Sequence, residues 1–196
     1  MLVADLKKIK VILGSQSPRR KELLASLDID FDVIVKSIDE TIPASVSPSQ
    51  AAEYIACKKL EAFEGDTLKH ALLITADTVV VNQQNNALGK PNSAQEAIEV
   101  IQSLSGKSHH VYTGVALSFN GNIKSFTEVT EVRFAVLDKE EISYYVEKYK
   151  PFDKAGAYGI QEWIGRVAVE SIQGSYENVM GLPTVRLYQT IKELSK

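Results

Sequence analysis

Hydrophobic positions change from strand-like to helical spacing several times along the chain. Short apolar runs predict strands at residues 9–13, 31–35, 72–81, 110–119, 123–136 and 166–172. Between these runs, apolar residues three and four positions apart predict helices that begin near residues 18, 48, 94, 139 and 183. Interspersed strands and helices are typical of an α/β fold. We expect a single domain over residues 1–196, with two lobes on a long, mixed, twisted sheet, flanking helices and a cleft between the lobes.

Four of the predicted strands have further expected features. In residues 31–35, the alternation places Phe31, Val33 and Val35 on one face. The dipeptide Asn120-Gly121 lies between two long apolar runs and predicts a β-hairpin with a type I′ turn. The most apolar run, residues 72–81, is typical of a strand buried on both faces.

The segment after the first strand combines small residues with positive charge. Ser17 is a good N-cap, and the helix that it begins carries Arg19, Arg20 and Lys21 in its first turn. Cations are unfavourable at the positive end of a helix dipole unless an anion lies among them. The loop amides, the Ser15 hydroxyl and the guanidinium groups therefore favour a phosphate ligand. A solvated basic patch is the alternative, and the spacing excludes a P-loop.

Four more residues are candidates for chemistry, each with a structural alternative. Lys59 falls on the apolar stripe of its helix, either as a snorkelling lysine or as a lysine that points into a cleft. Asp77 interrupts the apolar run, either as a turn cap or as a carboxylate that faces a cleft or a cation. Lys90 follows a turn glycine as a loop lysine or a phosphate ligand. Gln161 ends a glycine-containing loop that is either merely flexible or able to approach a flat base closely.

Composition limits the classes of protein. The chain has 196 residues, 44% of them hydrophobic and 24% charged, which is ordinary for a globular protein. A net charge of −3 argues against an extended nucleic-acid surface. Cys57 is the single cysteine, so an intramolecular disulfide is excluded. With neither a signal-peptide pattern nor an apolar run of membrane-spanning length, we expect a cytoplasmic protein.

Six short motifs occur in order along the chain. They are Ser15-x-Ser17-Pro18-Arg19-Arg20, Asp39-Glu40, Thr75-Ala76-Asp77-Thr78-Val79-Val80, Gly89-Lys90-Pro91, Lys154-Ala155-Gly156-Ala157-Tyr158-Gly159-Ile160-Gln161 and Gly174-Ser175-Tyr176-x-Asn178-Val179-x-Gly181-Leu182-Pro183. In this combination the chain resembles the Maf family of nucleoside triphosphate pyrophosphatases over nearly its whole length. The resemblance implies a fold similar to Maf and ITPase proteins.

The resemblance also implies a substrate class. The loop that ends at Gln161 is similar to that of members that hydrolyse dTTP and UTP to the monophosphate and pyrophosphate, and differs from the branch that acts on 7-methyl-GTP. In the former branch, the equivalents of Arg19, Thr78 and Gln161 are associated with substrate choice, and that of Asp77 accepts a proton. Glu162 departs from the family pattern, in which glycine often follows the glutamine.

The same resemblance implies how a triphosphate is held for attack by water on its α-phosphorus. The residues expected to neutralise and orient the phosphates are Ser15, Arg19, Arg20, Lys59 and Lys90. Glu40 and Asp77 are expected to hold a divalent cation, Mg²⁺ or Mn²⁺, because hard oxygen ligands suit such ions.

Alternative functions remain open at this point. Within the enzymes, the alternative is a pyrophosphatase for 7-methyl-GTP or for other modified or non-canonical nucleotides. Outside them, it is a non-catalytic nucleotide-binding regulator of cell division. The expected partner is a nucleoside triphosphate, with no membrane and no nucleic acid, and homodimer formation is left open.

Overall fold

A computed structural model of the chain describes residues 3–63, 68 and 70–194. Residues 1–2, 64–67, 69 and 195–196 of the predicted domain lie outside the described residues. Among the described residues, none of the helices combines the length and the apolar character that crossing a bilayer requires.

The described residues form eight helices, seven strands and a short 3₁₀ turn. The strands are β1 (Val11–Leu13), β2 (Asp32–Val33), β3 (Leu72–Val81), β4 (Ala87–Leu88), β5 (Ser108–Phe119), β6 (Asn122–Phe134) and β7 (Val169–Gln173). The helices are α1 (Val3–Leu6), α2 (Pro18–Ala25), α3 (Pro48–Glu61), α4 (Ala94–Leu104), α5 (Lys139–Tyr149), α6 (Trp163–Val167), α7 (Tyr176–Met180) and α8 (Thr184–Leu194), and the 3₁₀ turn is Ala155–Ala157.

The seven strands form one mixed sheet with the order β2-β1-β3-β5-β6-β7, in which β4 pairs with β3 outside this path. Strand β1 runs parallel to both β2 and β3, and the helices α2 and α3 lie between these strands in the chain. Parallel neighbouring strands require such crossover connections. The pairs β3–β4 and β6–β7 are antiparallel. The prediction of an α/β fold with a mixed sheet and flanking helices is confirmed.

The described residues divide into two compact units. The first unit lies within Met1–Asp77, Thr113–Glu128 and Gly181–Lys196, and the second unit comprises Thr78–Tyr112 and Val129–Met180. A buried cluster in the first unit joins β1, α3, β3 and β5, and its members are Ile12, Ala56, Leu60, Phe63, Ala71, Leu73 and Ala116. Burial of these side chains holds α3 against the parallel strands.

Two strand predictions are wrong in detail. Strand β2 contains only Asp32 and Val33, and both Val33 and Val35 are exposed. Ile34, which lies between them, packs against the buried cluster, so the observed strand is shorter than predicted while the alternation of its side chains is kept. The first part of the predicted strand 166–172 belongs to α6, and β7 begins only at Val169.

The hairpin prediction is confirmed. Strands β5 and β6 are neighbours in the sheet and are joined by Asn120 and Gly121, whose φ angles are 50° and 82°. Positive φ at both central positions is the mark of a type I′ turn.

The core of the second unit contains a buried polar pair. The Nε2 atom of His109 on β5 lies 2.8 Å from the hydroxyl of Tyr158. The His109 ring also makes edge contacts with Phe134 and Tyr158, at centroid distances of 4.9 and 5.4 Å. Burial lowers the pKa of His109 to about 4, and the neighbouring His110 adds to this effect. His109 is therefore neutral in the folded chain at pH 7.

The folded chain should lose stability through His109 as the pH falls. An unfolded histidine, with a pKa near 6.5, binds its proton at a higher pH than folded His109 does. By linkage, this difference lowers the free energy of unfolding by about 2 kcal/mol between pH 7 and pH 5. Urea unfolding at both pH values should show that His109→Gln, which keeps a partner for Tyr158 but does not titrate, loses less stability than the natural chain. Equal losses would contradict this assignment.

Candidate functional site

The loop between β1 and α2 places a hydroxyl beside a basic helix start. Gly14 donates its N–H to the carbonyl of Ile74 at 2.7 Å, which holds the loop against β3. The buried Ser15 Oγ then accepts the N–H of Ser17 at 3.3 Å. Ser17 caps α2, as predicted, by accepting the Arg20 N–H at 3.5 Å. The first turn of α2 is thus fixed next to the end of β1.

Arg20 connects three parts of the first unit. Its Nε donates to the carbonyl of Gly181 at 2.8 Å, and its Nη1 donates to the carbonyl of Ala76 at 2.8 Å and to Ser15 Oγ at 3.3 Å. These bonds hold the guanidinium beside β3. These bonds give Arg20 a structural role. Its role in phosphate binding stays a prediction.

Burial and neighbouring charges act on Arg20 in opposite directions. Removal from water lowers the pKa of its guanidinium, the charge of Asp77 raises it, Arg19 lowers it further and Glu40 raises it. Arginine nevertheless stays cationic in proteins. The same interactions show that Arg19, Asp77 and Glu40 are all near enough to Arg20 for their charges to act on it.

Helix α3 is attached to β3 at the position that orients Lys59. The hydroxyl of Thr75 donates to the carbonyl of Ala56 at 2.7 Å. Lys59 lies three residues after Ala56, on the same side of the helix, and Asp77 lies two residues after Thr75, on the same side of the strand. The Thr75 bond therefore aligns the two charged side chains with each other.

Lys59 lies between two carboxylates. Its Nζ is 2.8 Å from Asp77 Oδ1 and 2.8 Å from Glu40 Oε1. The side chains of Lys59 and Asp77 are 18% and 21% exposed, whereas that of Glu40 is 52% exposed. Lys59 is thus a lysine directed at charged partners, and the group remains open to solvent on the side of Glu40.

The segment that carries Glu40 is fixed by Lys58, the residue before Lys59 in α3, and by a local turn at Asp39. Lys58 Nζ donates to the carbonyl of Asp39 at 2.8 Å. Asp39 Oδ1 accepts the N–H and the hydroxyl of Thr41, at 2.9 and 2.6 Å. These bonds from Thr41 lower the pKa of Asp39. Adjacent lysines of one helix therefore hold adjacent residues of one loop.

Glu40 and Asp77 fit the donor set expected for a divalent cation. Both carboxylates approach one cationic group, the Lys59 ammonium, at hydrogen-bonding distance. In the part of the chain that the structure describes, no group of three or more His, Cys, Asp or Glu side chains is arranged to hold a metal. Mg²⁺ is commonly bound by one or two carboxylates together with substrate phosphates, so a two-carboxylate site suits an ion that arrives with a triphosphate.

The other predicted residues lie in the second unit. Thr78, which follows Asp77 in β3, is partly buried, and Lys90 is exposed just after β4. The carbonyl of Gly89 accepts the N–H of Gly156 at 3.2 Å, so the segment of Lys90 contacts the loop that leads to Gln161. Gly156 has φ of 70°, and a Cβ there would lie 3.0 Å from the side chain of Val80. This contact brings the loop close to the end of β3.

Gln161 has an unusual side-chain environment. Its Oε1 is buried, and within the described residues it accepts no hydrogen bond. A buried carbonyl oxygen without a partner is unfavourable by about 1–3 kcal/mol. Such an atom is suited to accept an N–H from a ligand.

The structure thus brings together Ser15, Arg19, Arg20, Lys59, Glu40 and Asp77 in the first unit, and it links the segments of Lys90 and Gln161 in the second. Several supporting residues were missed by the sequence analysis, namely Thr75, Lys58, Tyr145 and Lys154. Thr75 and Lys154 lie within two of the six motifs described above, and this position was the signal by which they could have been found. The partners of Thr75, Lys58 and Tyr145 are distant in sequence or on another element, so no local pattern identified these three residues.

Two solved structures with a similar fold are named Ham1 proteins. The Staphylococcus aureus Ham1 protein matches with a TM-score of 0.52 and 18% identity, over 95% of this chain and 100% of that chain. A HAM1 protein from Coxiella burnetii matches with a TM-score of 0.52 and 19% identity, over 94% of this chain and 99% of the other. At this level of identity, the likeness is one of fold alone.

Relatives with much higher sequence identity share one name. A Bacteroides fragilis protein named dTTP/UTP pyrophosphatase is 50% identical over 98% of this chain and 100% of its own length. A Flavobacterium johnsoniae protein of the same name is 45% identical over 99% of this chain and 100% of its own length. The profile of Maf-like proteins matches residues 10–194. The chain therefore belongs to the Maf family.

Proposed function

We propose that the chain hydrolyses dTTP and UTP to the nucleoside monophosphate and pyrophosphate. The observation that carries this proposal is the group formed by Lys59, Glu40 and Asp77 beside the basic start of α2. Such a group combines phosphate-binding cations with carboxylates that suit a divalent ion. The name shared by the relatives at 45–50% identity supports the choice of substrates.

The cations of the first unit bind and orient the triphosphate in this proposal. Arg19, Arg20 and Lys59 neutralise the phosphate charges, while the N-terminus of α2 and the hydroxyl of Ser15 add hydrogen-bond donors. Lys90 is assigned to the same task. Holding the α-phosphorus and a water molecule in line removes much of the entropic barrier to attack.

Asp77 is assigned the role of proton acceptor. Its side chain is 21% exposed, so water can reach it, and Lys59 fixes one of its oxygens. A positioned carboxylate that removes a proton from the attacking water contributes about 10²–10⁴-fold to the rate. A divalent ion bound by Glu40 and Asp77 would stabilise the negative charge that develops on the leaving pyrophosphate.

Gln161 is assigned to recognition of the base, and Arg19 and Thr78 to substrate choice. Thymine and uracil present an imide N–H between two carbonyl oxygens. The buried Oε1 of Gln161 can accept that N–H, while its amide group donates to a neighbouring carbonyl. A purine presents its donors and acceptors farther from the sugar, so its edge would not meet the Gln161 amide in the same position.

We also place the enzyme in the cytoplasm. A substrate drawn from the nucleotide pool and a single free cysteine, Cys57, both suit a reducing intracellular compartment.

A substrate panel tests the proposed function. Pyrophosphate release should be measured with dTTP, UTP, dATP, dITP and 7-methyl-GTP in the presence of Mg²⁺ or Mn²⁺, and kcat/KM should be highest for dTTP and UTP. Preference for dITP or 7-methyl-GTP would indicate an enzyme for modified nucleotides. Nucleotide binding without hydrolysis would indicate a regulator instead.

Asp77→Asn should nearly abolish turnover while nucleotide binding is retained. The variant keeps the shape of the side chain but removes its basicity, so kcat for dTTP should fall by about 10²–10⁴-fold. Single-turnover rates and the Kd of a non-hydrolysable dTTP analogue separate the two effects. Asp32→Asn, which changes an exposed carboxylate paired with Lys10, is the matched control. Retained turnover in Asp77→Asn would remove Asp77 from this role.

Gln161→Ala should weaken selectivity between pyrimidine and purine triphosphates more than it slows dTTP hydrolysis. The alanine removes the groups that distinguish the base edges but leaves the phosphate-binding residues in place. Values of kcat/KM for dTTP, UTP and dATP provide the measurement, with the exposed Gln173→Ala as control. Unchanged selectivity would show that base recognition lies elsewhere.

A further inference from the structure

The loop that carries Gln161 is attached to the second unit at several closely spaced positions. It begins at Lys154, passes through the 3₁₀ turn Ala155–Ala157 and ends at Glu162. Tyr158 in this loop is buried and lies 2.8 Å from His109 Nε2 through its hydroxyl. The loop is therefore a fixed part of the second unit before Gln161 is reached.

The residue after Gln161 receives two polar contacts. The hydroxyl of Tyr145 donates to Glu162 Oε2. The ammonium of Lys154 lies 3.2 Å from Glu162 Oε1, and the two side chains are 9% and 19% exposed. Each oxygen of the Glu162 carboxylate thus has its own partner, one from α5 and one from the start of the loop.

Tyr145 attaches both sides of Gln161 at once. While its hydroxyl donates to Glu162, its oxygen accepts the N–H of Gly159 at 3.0 Å. Tyr145 is completely buried on α5, so its own position is fixed by packing. Burial raises the pKa of the Tyr145 phenol, with a further contribution from Glu162, and the hydroxyl stays a proton donor at neutral pH.

Close packing leaves this arrangement little freedom. A Cβ added at Gly159 would lie 2.8 Å from Glu162 Cδ and 3.0 Å from Lys154 Cε. Lys154 also donates to Asp153 Oδ1 at 2.7 Å, which fixes its direction. A buried ammonium that lost the Glu162 carboxylate would depend on this more exposed partner.

We propose that Glu162 is a positioning residue that fixes the orientation of the Gln161 amide and thereby determines the preference for a pyrimidine base. The proposal rests on the proposed function. Glu162 acts through the backbone it shares with Gln161 and through Tyr145 and Lys154. The unpartnered Oε1 of Gln161 has no bond of its own to hold it, so its direction depends on these neighbours.

Binding of non-hydrolysable nucleotides tests this role without reliance on turnover. The Kd values of the α,β-imido analogues of dTTP and dATP should be measured by calorimetry for the natural chain, Gln161→Ala and Glu162→Gln. In Glu162→Gln an amide replaces the carboxylate and cannot satisfy both the Lys154 ammonium and the Tyr145 hydroxyl as the carboxylate does. We expect its pyrimidine preference to fall by at least about tenfold, towards that of Gln161→Ala.

A double variant separates a positioning role from a general structural one. If Glu162 acts through Gln161, Gln161→Ala combined with Glu162→Gln should show the same selectivity as Gln161→Ala alone. Tyr145→Phe removes the hydroxyl that bonds to Glu162 but keeps the contact between Lys154 and Glu162. It should also reduce the pyrimidine preference, and it replaces Glu162→Gln in this test if that variant does not fold. Glu170→Gln is the matched control, because Glu170 is an exposed carboxylate of the same unit paired with Arg133.

The outcomes distinguish the two proposals. A natural chain without pyrimidine preference in binding would overturn both the proposed function and the role of Glu162. A natural chain with that preference, together with a folded Glu162→Gln that keeps it, would overturn the role of Glu162 alone. Additive losses of selectivity in the double variant would also overturn it.

Discussion

The candidate site depends on one ammonium group shared by two carboxylates. Glu40 and Asp77 both lie 2.8 Å from Lys59 Nζ, and two carboxylates this close to a common point would repel each other without a cation between them. The Lys59 charge therefore offsets this repulsion and allows the two carboxylates to lie close together. Arg20, whose guanidinium also interacts with both carboxylates, adds positive charge to the same region.

The residues of this site lie on separate elements of the fold. The parallel pairing of β1 and β3 brings these elements together. The register aligns Leu13 with Ile74, so the loop after β1 lies beside the part of β3 that leads to Asp77. Thr75 then fixes α3 on the strand, and Arg20 fixes α2 on the carbonyl of Ala76. Ligand sites in parallel sheets lie beyond the carboxyl ends of strands for the same geometric reason.

Local features of the fold were predictable because their causes are local. The cap at Ser17 and the type I′ turn at Asn120-Gly121 each depend on residues a few positions apart. The length of the strand at residues 31–35 was overestimated, because β2 is an edge strand of only two residues.

The site was predictable only in part. The motifs identified the charged residues, but the residues alone did not decide whether Lys59 is a snorkelling side chain or a site residue. Its partners, Glu40 and Asp77, are far from it in sequence, and contacts of this kind leave no periodic pattern. The same applies to Glu162, whose partner Tyr145 lies on an apolar helix face and is typical of a core residue by its spacing.

Binding of Mn²⁺ tests the proposed metal-binding role of Glu40 and Asp77 most directly. Electron paramagnetic resonance can measure the Kd of Mn²⁺ for the chain with and without the α,β-imido analogue of dTTP. The two-carboxylate site predicts that Mn²⁺ binds at least about tenfold more tightly to the chain with the analogue, and that Glu40→Gln loses this gain. If Glu40→Gln bound Mn²⁺ and the analogue as tightly as the natural chain does, the account of this site would be contradicted.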